Sequence, residues 1–255
     1  MSISSYSDLS GKIAVITGGS RGIGAQTARM LAAQGVRVCI VGRDEKALDE
    51  VVAQITEAGG TALAAVADVT DATALEQVRD LVESRLGRVQ ILAAFAGGVG
   101  EPVPTPNLTE QRWHQALDAN LSSAFLTIQA FLPGMIAQGG GSIITMSSTA
   151  GRQPSQANLA YGVAKAGVIM LTRHLATELG PQGIRVNALA PSSIRTEKVD
   201  AHMPEAVQQQ VTAAHPLRRL GLTTDVGEAA LFLASDASSY LSGITIDVAG
   251  GRITN

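Results

Sequence analysis

Two side chains four residues apart, Tyr161 and Lys165, form the pair in this chain best suited to acid–base chemistry. Residues at i and i+4 of a helix share one face, so the lysine ammonium would lie close to the tyrosine phenol. A free tyrosine has a pKa of roughly 10, too high for ready proton exchange near neutral pH. A nearby positive charge stabilises the phenolate, so we expect Lys165 to lower the pKa of Tyr161 toward the range of a general acid or base. The ordinary alternative is a half-buried aromatic beside a solvated lysine.

A glycine-rich turn follows the first predicted strand and precedes a helical pattern. The turn holds Gly18, Gly19, Ser20, Arg21, Gly22, Ile23 and Gly24. Glycines permit a tight turn there and let backbone N–H groups approach a pyrophosphate at the N-terminus of the helix. With a strand before it and a helix after it, the turn predicts dinucleotide binding.

Two arginines bear on which dinucleotide is bound. Arg21 lies in the glycine-rich turn and Arg43 follows the second predicted strand, where Gly42 stands at the position that carries a carboxylate in NAD-preferring folds. Paired guanidiniums would bind a ribose 2′-phosphate through charge-assisted hydrogen bonds. The sequence therefore favours NADP(H) over NAD(H). The alternative is two solvated arginines, with Asp44 turned outward or capping a helix.

Short apolar runs alternate with longer helical patterns along the whole chain. Strands are predicted at 13–17, 36–41, 62–66, 89–94, 142–146, 185–189 and 245–248, and helices at 24–34, 45–57, 71–86, 110–136, 163–179 and 225–234. Continuous apolar strands indicate burial on both faces, as in a parallel sheet. The prediction is an α/β fold: a single Rossmann-like domain spanning residues 1–255, with a doubly wound parallel sheet of about seven strands flanked by helices. A (β/α)₈ barrel is the rival, disfavoured by the glycine-rich turn.

Composition narrows the class of partner. The 255 residues carry a net charge of −3 and only 3% aromatics, which gives no reason to expect nucleic acid or an anionic membrane. The single cysteine, Cys39, permits no internal disulfide and is expected in the core. No stretch approaches the roughly 20 apolar residues needed to span a bilayer, so no membrane span is predicted. Scattered histidines predict no metal site. We expect a cytoplasmic protein.

Four motifs, taken in order and spacing, resemble those of the short-chain dehydrogenase/reductase family. Thr17 to Gly24 matches its TGxxxGxG motif and Tyr161 to Lys165 its YxxxK motif. Ser148 precedes the tyrosine by thirteen residues, as the family's serine does, and Asn120 matches its mid-helix asparagine. The resemblance covers nearly the whole chain and implies an oxidoreductase.

The resemblance implies a role for each catalytic residue. Tyr161 would be the general acid for carbonyl reduction and the base for alcohol oxidation. Lys165 would lower its pKa and hold the ribose hydroxyls of the nicotinamide nucleotide. Ser148 would hydrogen-bond the substrate oxygen, and Asn120 would help to hold a water in a proton relay. Ser148, or Ser147, could instead satisfy backbone groups at a strand end.

Further positions resemble the family's cofactor contacts. Asp68 and Val69 look like its adenine-contacting pair, with a helix N-cap as the alternative reading of Asp68. The remaining matches are Ala96 and Gly97 after the fourth strand and Pro191, Ile194 and Thr196 after the sixth. Two positions depart from the family pattern. Ala94-Phe95 replaces Asn-Asn, which removes hydrogen bonds between neighbouring strands and adds bulk near the cofactor, and Ser192 replaces a glycine, which would stiffen the loop over the nicotinamide.

The loops at 98–107, 149–160 and 192–216 should surround the substrate, the last as a mobile lid. The family includes 3-oxoacyl-carrier-protein reductases, but the stretches that would dock an acidic carrier are uncharged here. A small ketone or secondary alcohol is therefore the preferred substrate and a carrier-bound 3-oxoacyl group the alternative. A nucleotide-binding sensor without turnover is the alternative of another class. Because most family members are tetramers, a homotetramer is expected.

Overall fold

A computed structural model describes residues 4–98 and 101–254, and its centre is one seven-stranded parallel sheet. The strands are β1 Ile13–Thr17, β2 Arg37–Gly42, β3 Thr61–Val66, β4 Ile91–Ala94, β5 Gly141–Met146, β6 Ile184–Pro191 and β9 Thr245–Val248. Their order across the sheet is β3-β2-β1-β4-β5-β6-β9, with every neighbouring pair parallel. The order reverses at β1, which makes the sheet doubly wound and confirms the predicted fold class.

Helices connect the strands and cover both faces of the sheet. They are α1 Gly22–Ala33, α2 Glu45–Glu57, α3 Ala72–Arg85, α4 Glu110–Leu117, α5 Ser123–Ala137, α6 Leu159–Leu179, α7 Glu197–His202, α8 Glu205–Ala213 and α9 Thr223–Ala234. Two short strands, β7 Ile194–Arg195 and β8 Gly221–Leu222, pair with each other outside the main sheet. The sequence reading missed β7, β8, α7 and α8, because each is short and carries little hydrophobic periodicity.

The strands are buried because successive side chains enter two separate cores. On one face, Ile16 and Ile40 pack with α1, α2 and α9, and on the other, Val15 and Cys39 pack with α3, α5 and α6. Every residue of β1 and β4 is buried, which explains their continuous apolar sequence. Burial raises the pKa of the Cys39 thiol to about 12, as expected for a core residue.

One helical stretch, Glu110–Ala137, is long and apolar enough to cross a bilayer by length and composition, with a mean hydropathy of 1.2. It comprises α4, a π-helical turn and α5. In this fold, 44% of its most apolar window is buried, and α5 packs against α3 and β4. A core helix meets the same criteria, so the stretch is weak support for a membrane span.

Candidate active site

The glycine-rich turn joins β1 to α1 at the carboxyl edge of the sheet. Gly18 has a φ of +69°, and a Cβ atom on Gly24 would lie 2.2 Å from the Gly18 carbonyl oxygen. Only glycine at position 24 therefore lets α1 start this close to the turn. Arg21, the N-cap of α1, makes no side-chain capping hydrogen bond to the first turn of that helix. The first-turn N–H groups are thus left for an anion.

Ser20 and Ile23, both within the glycine-rich turn, face different parts of the molecule. The Ser20 hydroxyl faces the end of β2, since a Cβ on Gly42 would lie 3.5 Å from its oxygen. Ile23 is partly buried against the core on the α1 face. The methyl group of Thr196 approaches from the opposite loop, 3.4 Å from a Cβ placed on Gly22. The turn and the loop after β6 therefore meet at the same edge of the sheet.

The two arginines pair with separate aspartates. Arg21 hydrogen-bonds Asp44, and Arg43 Nη1 lies 3.7 Å from Asp68 Oδ2. The side chains of the arginines are 64% and 80% exposed. Asp44 also caps α2 by accepting from the Ala47 N–H at 3.1 Å. This agrees with the alternative interpretation of Asp44 as a helix cap. The arginines lie on either side of the end of β2 without contacting each other's partner.

Asp68 sits at the end of β3 in a local turn and is not a helix cap. Its Oδ1 accepts from the Thr70 N–H at 3.0 Å and the Thr70 hydroxyl at 2.7 Å. These hydrogen bonds, with the nearby charge of Arg43, lower the pKa of the Asp68 carboxyl. Asp71 caps α3 instead. Val69 is partly buried against the core.

The departure at Ala94-Phe95 is accommodated by Thr17. The Thr17 hydroxyl accepts hydrogen bonds from the Phe95 and Ala96 N–H groups, both at 3.1 Å, and so ties β1 to the end of β4. The Phe95 side chain is 8% exposed and packs in the core on the α1 face. The expected loss of hydrogen bonds between strands is thus offset by Thr17, and the added bulk enters the core.

Asn120 lies in a π-helical turn, Asp118–Ser122, between α4 and α5. The side chain is buried, with its amide nitrogen donating to the Ala116 carbonyl at 3.0 Å and its oxygen accepting from the Gly98 N–H at 3.1 Å. Single π turns in α-helices are rare and frequently lie at functional sites. Here the turn fixes Asn120 against the loop that follows β4.

Two serines follow β5 and have different partners. Ser147 is buried and donates to the Lys165 carbonyl at 2.7 Å. Ser148 accepts from the Ala150 N–H at 3.2 Å and also hydrogen-bonds the Tyr161 side chain. Both therefore satisfy backbone groups, and only Ser148 also reaches the phenol.

Tyr161 stands in the first turn of α6, which begins at Leu159, four residues before the predicted start at residue 163. The helix cap is Asn158, whose side chain accepts from the Tyr161 N–H at 2.9 Å. Burial raises the pKa of the Tyr161 phenol, and the hydrogen bond with Ser148 opposes that rise. Burial outweighs the effect expected of Lys165, so the net pKa shift of Tyr161 is opposite in direction to the prediction.

Lys165 is 3% exposed, and its ammonium donates to the Met146 carbonyl at 2.9 Å. Nζ lies 5.7 Å from the centroid of the Tyr161 ring. Burial lowers the pKa of Lys165 to about 8. A Cβ on Gly97 would lie 3.2 Å from Nζ and 2.8 Å from the Asn120 side-chain oxygen. Gly97 thus leaves open the space beside both polar groups.

Pro191 is the last residue of β6, and the segment that follows carries Ile194 and Thr196. Ile194 is 7% exposed and belongs to β7. Thr196 caps α7 by accepting from the Val199 N–H at 3.4 Å. Ile194 therefore packs in the core, and Thr196 caps α7 while its methyl group faces Gly22 of the glycine-rich turn.

The structure brings Ser148, Tyr161, Lys165 and Asn120 together at the carboxyl edge of the sheet, beside Gly97. Three contacts around them were not predicted: the hydrogen bonds of the Thr17 hydroxyl, the capping of α6 by Asn158, and the bond of Lys165 to the Met146 carbonyl. Ser147 satisfies a backbone group, as its interpretation in the sequence allowed. Asn158 had a readable signal, because an asparagine three residues before a helical tyrosine is a common N-cap arrangement. Within residues 4–98 and 101–254, no group of three or more His, Cys, Asp or Glu side chains could hold a metal.

Comparisons with known proteins identify the class to which this fold and site belong. A family model described as enoyl-(acyl carrier protein) reductase matches residues 18–252. The chain is 40% identical to 3-oxoacyl-[acyl-carrier-protein] reductase FabG of Staphylococcus aureus over 94% of this chain and 97% of the relative. It is 36% identical to 7alpha-hydroxysteroid dehydrogenase of Escherichia coli, over 96% and 95%. A solved structure of 7alpha-hydroxysteroid dehydrogenase complexed with NADH and 7-oxo glycochenodeoxycholic acid superposes with a TM-score of 0.93 at 35% identity, covering 100% of this chain and 99% of that one.

The chain belongs to the short-chain dehydrogenase/reductase family. It is an oxidoreductase that acts on CH–OH or keto groups of small molecules with a nicotinamide dinucleotide. The residues present fit such a cofactor: α1 has first-turn N–H groups without a side-chain cap, and the space beside Gly97 would be filled by any Cβ. The buried Lys165 ammonium has three donors, one of which binds the Met146 carbonyl, so it can also bind hydroxyl groups in that space.

Proposed function

We propose that this enzyme interconverts a small ketone and the corresponding secondary alcohol, with NADP(H) preferred over NAD(H). The observation that supports the chemistry most directly is the cluster of Ser148, Tyr161 and Lys165. A partly buried phenol there hydrogen-bonds a serine hydroxyl and lies beside a buried ammonium. A pure nucleotide sensor would have no need of this acid–base pair.

The nicotinamide supplies or accepts the hydride when it is bound. In ketone reduction, Tyr161 gives its phenolic proton to the carbonyl oxygen while that oxygen gains negative charge. Ser148 donates a hydrogen bond to the same oxygen and stabilises the developing charge. The ammonium of Lys165 stabilises the phenolate left on Tyr161, and alcohol oxidation runs through the same groups in reverse. Asn120 holds the loop after β4 and, through it, a water that returns the proton.

The preference for NADP(H) rests on Arg21 and Arg43. Their exposed guanidiniums flank the end of β2, and Gly42 offers no carboxylate there to repel a 2′-phosphate. A phosphate would compete with Asp44 and Asp68 for the two guanidiniums, so the preference should be moderate. Ser20, Gly22, Asp68, Val69 and Ala96 line the rest of the cofactor path, with Pro191, Ile194 and Thr196 at its nicotinamide end.

A neutral substrate is supported by the charges of the loops around the site. Arg152 pairs with Asp247 at 3.1 Å and Arg195 with Asp200 at 2.8 Å. Neither arginine therefore offers an uncompensated charge for an anionic substrate. The identity to FabG keeps a 3-oxoacyl thioester as the second candidate. Part of the loop 98–107 lies outside the described residues, so its contribution stays a prediction.

The domain organisation, the location and the oligomeric state of the enzyme are also proposed. We take residues 1–255 as one dinucleotide-binding domain with a lid at 192–216, and the enzyme as a cytoplasmic homotetramer. Exposed apolar side chains on α5 and α6 support contacts between subunits: Phe125, Val163 and Met170 are 45%, 42% and 61% exposed. Size-exclusion chromatography with light scattering should give a mass four times the 26.2 kDa of the chain. A monomeric mass would contradict the tetramer.

The experiment that tests the function follows NADPH and NADH absorbance with a panel of neutral ketones, a bile-acid ketone and a 3-oxoacyl thioester. We expect turnover of a neutral ketone, with kcat/KM about tenfold higher for NADPH than for NADH. A higher kcat/KM with the thioester would favour the carrier-protein alternative. Binding of NADPH without turnover of any substrate would favour the sensor.

A further inference from the structure

A side-chain hydrogen bond joins the two ends of the segment that we propose as the lid. Ser192 is the first residue after β6, and His215 is the second residue after α8. The Ser192 hydroxyl lies 2.8 Å from Nε2 of His215, whose side chain is 2% exposed. The bond therefore closes the base of a segment that carries β7, α7 and α8.

The partners of His215 fix the direction of this bond. Nδ1 lies 2.7 Å from the Val211 carbonyl, which can only accept, so Nδ1 carries the proton. In a neutral imidazole the other nitrogen is then an acceptor, and the Ser192 hydroxyl donates to it. His215 thus binds the last turn of α8 with one nitrogen and the loop over the nicotinamide site with the other.

Backbone contacts also hold the segment near its ends, because β7 pairs with β8 and the Gly221 N–H donates to the Ser193 carbonyl at 3.1 Å. The Ser192 N–H donates to the Val248 carbonyl and the Leu217 N–H to the Gly250 carbonyl, both at 3.1 Å, so each end is separately fixed beside β9. Three charged groups line the cavity next to His215: Arg219 and Asp225, which pair with each other, and Asp247, which pairs with Arg152 outside the cavity. Among the described residues, the Ser192–His215 bond adds a direct link between side chains to these backbone contacts.

We propose that Ser192 and His215 are positioning residues that hold the 192–216 segment closed over the substrate, a role that rests on the proposed lid function. Neither residue belongs to the Ser148, Tyr161 and Lys165 cluster. Their bond sets how often the lid is closed, and substrate affinity falls in proportion to the closed fraction. Loss of the bond should therefore raise the KM for substrate and leave kcat nearly unchanged.

The variants distinguish two hydrogen bonds of His215: the one with Ser192 and the one with the Val211 carbonyl in α8. Ser192→Ala removes the bond from one side, and His215→Asn removes it from the other. The asparagine amide nitrogen can still donate to the Val211 carbonyl in place of Nδ1. Ser192→Thr keeps the hydroxyl and serves as the conservative control. Because both single variants delete one interaction, the double variant should be no worse than either alone.

We expect Ser192→Ala and His215→Asn each to raise the substrate KM about fivefold, the effect of one ordinary hydrogen bond. The value of kcat and the thermal midpoint should change little, and Ser192→Thr should behave like the wild type. Additive effects in the double variant, or a loss of kcat with unchanged KM, would overturn the proposal.

Hydrogen exchange of the amides in residues 197–213 tests the same link without any turnover. We expect faster exchange in Ser192→Ala and His215→Asn than in the wild type and Ser192→Thr. Unchanged exchange in both variants would refute the link even if the enzyme reduces ketones. Faster exchange in an enzyme that turns over no substrate would instead retain the link and refute the proposed function.

Discussion

The proposed catalytic end of the site and the end proposed to bind the 2′-phosphate differ in how far their polar groups are exposed to solvent. Around Tyr161, the polar groups are buried and hydrogen-bonded to backbone: Lys165 to the Met146 carbonyl and Asn120 to the Gly98 N–H. Around the end of β2, Arg21 and Arg43 are exposed and pair only with aspartates that are themselves half exposed.

Because of this difference, the groups proposed to transfer the proton are distinct from those proposed to select the cofactor. Burial shifts pKa values and fixes the positions of side chains, which proton transfer needs. Exposed charge pairs contribute about 0–1 kcal/mol each and can exchange partners, so they adjust the preference for one nucleotide at little cost in stability. Substitutions at the buried end should thus have large effects, and those at the exposed end small and selective ones.

The largest effect is expected from removing the phenolic hydroxyl. Tyr161→Phe should lower kcat/KM about 1,000-fold, because no other group replaces the general acid, while the Kd for NADPH should stay nearly constant. Steady-state kinetics and nicotinamide fluorescence measure the two quantities. Tyr240→Phe, at a fully exposed tyrosine, is the matched control. Unchanged turnover in Tyr161→Phe would rule out the catalytic assignment.

The next effect concerns the buried ammonium of Lys165. Its pKa is about 8 in the folded protein against 10.5 ordinarily, so the unfolded chain binds more protons between these values. Stability must then rise with pH in that window, and the wild type should gain about 3 kcal/mol relative to Lys165→Met from pH 8 to pH 10.5. Below pH 8 the lysine is charged in both states, and the difference should be constant.

Denaturant unfolding across this pH range measures the gain. Lys46→Met, at an exposed lysine, is the control and should follow the wild-type curve. Parallel curves for the wild type and Lys165→Met would mean that burial does not lower the pKa of Lys165, and the contrast between the two ends would weaken.

A smaller and selective effect is expected at Arg43. Arg43→Ala should raise the Kd for NADPH about tenfold and leave the Kd for NADH unchanged, because only the 2′-phosphate uses the guanidinium. Arg79→Ala, which also removes an arginine paired with an aspartate, is the control on α3. Equal weakening of both nucleotides would show that Arg43 acts on the fold and does not discriminate between them.

The smallest effect is expected from Asp44→Asn. The change frees Arg21 from its charged partner, while an asparagine oxygen can still cap α2. The Kd for NADPH should fall about two- to threefold, since the pair is exposed. A weaker affinity for NADPH would mean that Asp44 orients Arg21 and does not compete for it.

Much of the site could be predicted because its signals are local. The glycine-rich turn needs Gly18 and Gly24 for a positive φ and a close approach, so the sequence itself reveals the turn. The i, i+4 spacing of Tyr161 and Lys165 placed them on one helical face, and Asp44 could be considered as a helix cap. Successive side chains of each strand point into two different cores, so both faces of the sheet are apolar. The parallel strands could therefore be predicted from continuous apolar runs in the sequence.

What could not be predicted depends on contacts between distant segments. The sequence suggested that Lys165 lowers the pKa of Tyr161, but burial of both groups raises one pKa and lowers the other. The Thr17 hydroxyl can replace hydrogen bonds of the missing asparagines only because β1 and β4 are neighbours in the sheet. The sequence does not show that contact. The bond between Ser192 and His215 likewise joins residues far apart in the sequence.

The sequence by itself therefore determined the order of the elements and the glycine-rich turn, because helix and strand periodicity and backbone sterics act over a few residues. Through its resemblance to a family, it also indicated the side chains that are proposed to react. Only the tertiary structure decided how deeply Tyr161 and Lys165 are buried, and which carboxylate meets each arginine. Desolvation and ion pairing depend on groups that the chain brings together only when it folds.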